Sequence, residues 1–412
     1  MRPDPLSMQA AVAPERAIAP VSLWTLALLF LRIGCTGFGG FMAMVAVTQQ
    51  VLCERRRLLP QADLLDGLAL ASVLPGPVAV NVAAYAGYRL RGVAGAIIAL
   101  LCAVLPAFFC MVALGTLYLR YGSSDALRPI FAGIAPAIVA IVLAAGCRLW
   151  QGAVHDRRQA ALGVGAALVM VWQPGLATTL SVMAVAAAIG YHSYGGRSAP
   201  SPALARRAPL AAPQGTRRRW PQRLAMLLVA PLAALALLSA SPILLQLLGV
   251  FSSMSLLAFG GGYVFIPLLQ HTVVEAYHWL TPAEFTDALA LTQLSPGPAM
   301  ISSALIGLKV AGFSGATAAS IGMFVPSAML IVAASGAMQR IRSSTSVQAA
   351  LSGMRAALSG MVFAAAVTIS CSHPLHLATV LVCLAALFAL LRLRVDAAVV
   401  VLCAALSGWL FF

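Results

Sequence analysis

The chain has 412 residues, of which 61% are hydrophobic and 9% charged. A soluble domain carries about 25% charged residues, so the composition excludes an ordinary soluble protein and predicts a polytopic membrane protein. The formal charge of +15 comes from 26 basic residues, all arginine except Lys309. Seven of the arginines crowd into one acid-free stretch, 192–223, which reads as a cytoplasmic topology signal and not as a nucleic-acid surface. No GxxxxGK[ST] phosphate loop is present, which argues against ATP hydrolysis by this chain. The eight cysteines are scattered without CxxC spacing and predict neither a metal site nor a disulfide frame.

Residues 1–20 form a polar, Pro-rich tail. The apolar stretch after it is too long and too poorly flanked to be a cleaved signal. Apolar segments are predicted at 22–52, 62–88, 93–119, 127–150 and 160–191, the last split into two short helices by Gln173-Pro174-Gly175. After the linker come 224–240, 243–269, 283–308, 312–337, 347–371, 376–391 and 395–412. The expectation is an all-α membrane protein with about twelve or thirteen helices. Its parts are a first repeat at 21–191, a basic linker at 192–223, an extra connecting helix at 224–242 and a second repeat at 243–412.

The two repeats can be followed residue by residue. Phe38-Gly39-Gly40 and Leu74-Pro75-Gly76-Pro77 recur 221 positions later as Phe259-Gly260-Gly261 and Ser295-Pro296-Gly297-Pro298. Glu54, Asp63 and Asp66 meet Glu275, Glu284 and Asp287 at the same offset. At an offset of 220, Gly87, Arg89, Gly92, Gly95 and Pro106 meet Gly307, Lys309, Gly312, Gly315 and Pro326. Six of the eleven acidic residues belong to matched pairs, which chance does not produce. With the linker inside and one extra helix between the halves, the arginine bias predicts inverted repeats, although Arg55, Arg56 and Arg57 count against it.

Pro-Gly-Pro inside an apolar segment strips helical hydrogen bonds that lipid cannot replace. Paired broken helices point to a transporter binding site. Pro75 and Pro77 leave the carbonyls of Ala71 and Val73 without donors, and the amides of Val78, Ala79 and Val80 open a new half-helix suited to an anion. Pro296, Gly297, Pro298, Ala299, Met300 and Ile301 are expected to repeat the arrangement. Gly39, Gly40, Gly260, Gly261 and Gly262 allow close backbone approach, either to a ligand or to a neighbouring helix. Asp66 and Asp287, with Glu54 and Glu275, are candidate proton carriers, and the pairs Asp63/Asp66 and Glu284/Asp287 fit equally as caps of a first helical turn. Arg32 is a candidate bidentate contact to an oxyanion, or snorkels to headgroups. Arg89 and Lys309 suit helix C-termini. His373 and His376 read as loop polarity, with no third ligand nearby for a metal.

This doubled set of Phe-Gly-Gly, Pro-Gly-Pro and later Gly-rich turn resembles the chromate ion transporter family, over residues 24–150 and 245–370. The resemblance implies two fused homologous halves that export chromate from the bacterial cytoplasm through the inner membrane, with sulfate as a structural mimic. It implies no cofactor and no nucleic acid; a homo-oligomer is left open. The chain departs from the family at Phe41, where proline usually follows the glycines. The alternative is a transporter of sulfate or another oxyanion. An enzyme would need a metal cluster or a nucleophile–base pair, and a purely structural protein would not need two matched breaks.

Overall fold

A computed structural model describes residues 21–37, 41–122, 124, 128–173, 175–194, 241–258, 265–336, 344–371 and 376–411. The N-terminal tail, both Phe-Gly-Gly motifs (Gly39, Gly40, Gly260, Gly261 and Gly262 included), the basic linker beyond Tyr194 and all but the end of the predicted connecting helix lie outside these residues. Fourteen α-helices and no strands occur among those described.

The first half holds α1 (Leu23–Thr36), α2 (Phe41–Gln49, continued by a π-helical turn Gln50–Arg55), α3 (Gln61–Val73), α4 (Val78–Tyr121), α5 (Arg128–Ala153), α6 (Arg157–Trp172) and α7 (Leu176–Tyr194). The second holds α8 (Pro242–Leu257), α9 (Phe265–Gln270, with a π-helical turn His271–Ala276), α10 (Pro282–Leu294), a 3₁₀ turn Ala299–Ile301 leading into α11 (Ser302–Ala334), α12 (Thr345–Cys371), α13 (Leu377–Leu391) and α14 (Ala397–Phe411). The repeat is written into the backbone as well as the sequence. The π-turns match at an offset of 221, as do Arg57 (φ 50°) with His278 (φ 51°) and Gly76 (φ 110°) with Gly297 (φ 103°).

The elements exceed the predicted count because single apolar stretches are divided by their breaks. Among the described residues, four helices are long and apolar enough to cross a membrane: 78–121, 129–153, 299–334 and 345–371. Two of these are not straight. Arg91 and Gly92 in α4, and Ala311 and Gly312 in α11, leave helical geometry, with φ 65° and 61° at the glycines. Each turn folds a short arm back on a long one. A Cβ on Gly95 would lie 2.2 Å from the Gly87 carbonyl oxygen, and one on Gly315 would lie 2.1 Å from that of Gly307. Eight residues of straight helix would separate these positions by about 12 Å.

The halves are interlaced. α5 packs on α13 and α14 of the other half, while α12 packs on α6 and α7. Small residues permit the approach: Gly133 meets Gly408, and Gly353 meets Gly190 at the pseudo-equivalent place, the close helix packing that membranes favour. Outward faces carry exposed Leu168, Trp172, Leu381, Phe388 and Leu406, apolar surface suited to lipid. The short arm of α11 runs alongside the long arm of α4 in the same direction, since Gly297 lies at Ala107 and Leu308 at Gly115. The long arm of α11 folds back against that direction. Equivalent long arms thus oppose each other, as the inverted repeat requires.

Candidate functional site

Neither Pro-Gly-Pro break lies in a helix that runs straight through. Arg89 donates to Asp63 Oδ2 from Nη2 (2.7 Å) and Nε (3.2 Å). Twenty-six residues of continuous helix would hold these groups about 39 Å apart. Instead α3 and the short arm of α4 lie side by side, with Gly67 against the Tyr85 ring. Pro75-Gly76-Pro77 is the tip of a helical hairpin. Lys309 closes the second hairpin on Glu284 in the same way, so that Pro296-Gly297-Pro298 is its tip. Each leg has about 13 residues and is roughly 20 Å long, too short for the ~30 Å hydrocarbon core. The helices predicted to be broken within 62–88 and 283–308 are thus broken at Pro-Gly-Pro, and the chain turns back there as a helical hairpin. The physical cause is the glycine, whose φ near +100° is closed to other residues.

Both tips are buried, and each docks on the opposite half. The Gly76 N–H donates to the Ala258 carbonyl (2.7 Å) and the Gly297 N–H to the Gly37 carbonyl (2.9 Å). Gly37 and Ala258 are repeat mates, each immediately before a Phe-Gly-Gly motif. A Cβ on Gly76 would lie 2.1 Å from Ser327 Cβ, and one on Gly297 would lie 3.0 Å from Ala107 Cβ; Ser327 and Ala107 are mates at 220. The two halves therefore meet crosswise, the break of each beside the residue that precedes the glycine motif of the other.

Beyond the tips lie polar groups that the sequence reading passed over. Asn81 donates from Nδ2 to the Pro75 carbonyl (3.2 Å), while its Oδ1 is buried without a partner among the described residues. Ser302 Oγ and Ser303 Oγ, one turn past the second break, are likewise buried and unpartnered, as are Ser255 Oγ and Ser320 Oγ. Asn81, Ser302 and Ser303 are at most 1% exposed. Orphaned polar atoms are costly and usually mark a water or ligand position. A polar residue in the first turn after Pro-Gly-Pro was the available sequence signal.

Val78 and Ala79 open the short arm of α4, and the helical ladder starts with Asn81 N–H donating to Pro77 O (2.9 Å). At the second break Ala299 and Met300 occupy the corresponding place. Ile301, expected to offer a free amide, donates to Pro298 O (3.0 Å) because the chain enters α11 through a 3₁₀ turn. The acidic candidates separate. Asp66 is buried on α3; Asp287 accepts from the Tyr118 hydroxyl (2.7 Å), joining α10 to the long arm of α4. Glu54 and Glu275 are exposed at the π-turns, Glu275 paired with His271 (2.8 Å). Glu284 completes a capping box with Thr281 as well as its ion pair. Arg32 is exposed, away from the buried stripe Leu26, Leu29, Phe30 and Ile33 of α1, so the tips and Arg32 are not brought together by α1.

The sequence profile of the chromate transporter family matches residues 24–191 and 245–409, one match in each half. The chain belongs to the chromate transporter family. It is 29% identical to the probable chromate transport protein of Synechococcus elongatus over 95% of this chain and 96% of that one. It is 28% identical to the chromate transport protein of Cupriavidus metallidurans (95% and 93%) and 27% identical to that of Pseudomonas aeruginosa (97% and 94%). No solved structure matches the chain. Family membership and the apolar helices make it a multi-pass membrane transporter.

Proposed function

We propose that the protein is a secondary transporter that exports chromate from the cytoplasm across the bacterial inner membrane and so confers chromate resistance. The observation that carries this reading is the pair of buried re-entrant tips, each held by the other half and each followed by unpartnered polar atoms. A tetrahedral dianion would sit between the tips, against Pro75–Ala79 and Pro296–Met300. The amides of Val78, Ala79, Ala299 and Met300 supply donors at half-helix starts, and the Ser302 and Ser303 hydroxyls add two more. Asn81 Oδ1 only accepts, which suits a water in the dianion's shell. Asp66 and Asp287 are the proton-coupling residues of this reading.

Energetics favour export. A charge crossing 100 mV is worth ~2.3 kcal/mol, so a dianion leaving an inside-negative cell gains ~4.6 kcal/mol. At 1.4 kcal/mol per factor of ten, that sustains a gradient of roughly a thousandfold without ATP. The deciding experiment is uptake of labelled chromate into inside-out vesicles, with unlabelled sulfate as competitor and a Ser302→Ala/Ser303→Ala variant alongside. Saturable, potential-driven chromate uptake that the variant weakens supports the proposal. Uptake of labelled sulfate without chromate would instead make the protein a sulfate carrier, and movement of neither ion by folded protein would end the oxyanion reading.

A further inference from the structure

Arg355 lies near the middle of α12, eleventh of its 27 residues, about 15 Å along the helix from Thr345. Neither the repeat pattern nor the charge-based topology uses it. Its mate at an offset of 220 is Ala135, buried on α5. The cation thus belongs to one half only.

Helical periodicity places Arg355 on the side of α12 that carries Leu351, Leu358, Val362 and Ala366, all buried. The opposite stripe, Ala349, Gly353, Ala356 and Gly360, is taken up by close contacts with α6 and α7. Arg355 therefore points toward the protein body. Along this face Gln348, Ser352 and Arg355 are partly exposed, and Leu358, Ser359 and Val362 one and two turns further in are closed. The result is a polar strip that ends at the guanidinium.

No acidic group among the described residues pairs with the guanidinium. Among the described residues the ion pairs are Arg89 with Asp63, His271 with Glu275, and Lys309 with Glu284; Arg355 has neither an ion pair nor a hydrogen-bond partner. Arginine stays charged under all conditions met in a protein, and an unpaired charge at membrane depth is expensive. The fork of five donors matches a tetrahedral oxyanion in a bidentate contact.

We propose that Arg355 is an oxyanion-binding residue, holding a tetrahedral anion at the inner end of the strip formed by Gln348 and Ser352. This deepens the transport reading and rests on it for the identity of the anion as chromate. An anion with the same chemistry is the phosphate of a lipid headgroup, so the test must separate the two.

The test uses full-length protein in detergent stripped of phospholipid, as wild type, Arg355→Gln and Arg355→Lys. The readouts are the chromate concentration that raises the melting temperature, the KM of vesicle uptake and the phospholipid retained on purification. For Arg355→Gln the expected result is about a ten- to hundredfold rise in both the half-saturating chromate concentration and KM, from the loss of a charge-assisted contact. Its anion-free melting temperature should not fall. Arg355→Lys should fall in between, and it carries the test if the Gln variant does not fold. Wild-type affinity in both variants would overturn the assignment. So would a drop in anion-free stability with unchanged chromate binding, or loss of bound phospholipid with unchanged chromate binding. If wild-type protein transports neither chromate nor sulfate but still binds oxyanion in an Arg355-dependent way, the export reading fails and the residue's assignment stands.

Discussion

Gly76 and Gly297 occupy equivalent tips, yet the structure predicts unequal consequences when each becomes alanine. Both sit near φ +100°, so either substitution incurs backbone strain of about 1–3 kcal/mol. At Gly76 the new methyl would also lie 2.1 Å from Ser327 Cβ and 2.5 Å from its Oγ, adding an overpacking cost of about 1–3 kcal/mol. At Gly297 the nearest atom is Ala107 Cβ at 3.0 Å, and a shift of a few tenths of an ångström relieves it. Gly76→Ala should therefore cost about 2–6 kcal/mol and Gly297→Ala about 1–3 kcal/mol. Adding Ser327→Gly to Gly76→Ala should return the steric part and leave the strain, a coupling measurable by a double-mutant cycle. The assay is thermal melting of the purified variants, with chromate uptake in vesicles as a second readout. Equal losses at the two glycines, together with no rescue by Ser327→Gly, would refute the docking of the first tip on α11.

The ion pairs at the two hairpin bases should also differ. Arg89 and Asp63 are 18% and 5% exposed, Lys309 and Glu284 28% and 27%, so Arg89→Gln should cost about 3–5 kcal/mol and Lys309→Gln at most about 1 kcal/mol, read from melting temperatures. Tyr118→Phe removes a hydrogen bond to the Asp287 carboxylate and should cost about 1.5–3 kcal/mol; an unchanged melt would show that this link between the halves contributes nothing. At the base of the α6–α7 hairpin, hydrogen bonds from the Tyr194 hydroxyl and then from the Gln159 amide hold the Asp156 carboxyl below its usual range. A lowered folded-state value means this stabilisation is present above about pH 4 and lost as pH falls further. Melts of wild type and Asp156→Asn should differ at pH 7 and converge in acid, whereas a gap that does not narrow as the pH is lowered would contradict the assignment.

The repeat and the split of 160–191 were legible in the sequence because each rests on local chemistry: matched motifs, apolar length, proline and glycine. The reversal at Pro-Gly-Pro was not, since a kinked span and a hairpin have the same hydropathy and differ only in the φ of one glycine. One clue was available. Asp63/Arg89 and Glu284/Lys309 are matched opposite charges flanking each break, which a straight helix would leave unpaired in lipid. Read separately as caps and helix ends, the four residues gave no fold; read as pairs, they require the chain to turn back. Asn81, Ser302 and Ser303 escaped because a polar residue in a membrane helix ordinarily bonds back to its own backbone, as Ser72 and Ser359 do here.

The crosswise docking bears on how such a protein could cycle. An inverted pair of repeats offers two conformations related by the pseudo-two-fold axis, and identical halves would populate both equally. Here the backbone is symmetric while the side chains at the core are not. Ser327 faces one tip and Ala107 the other; Asn81 follows the first break and two serines follow the second; Arg355 has only Ala135 as its counterpart. A bound dianion interacts unequally with the two conformations only through such differences, because a ligand shifts an equilibrium by its differential affinity alone. The bonds that hold the tips, Gly76 to Ala258 and Gly297 to Gly37, are each worth only about 0.5–1.5 kcal/mol net, weak enough to exchange during transport. On the proposed export cycle, like backbone geometry at both tips with different polar groups behind them would keep two states accessible and let the anion favour one of them.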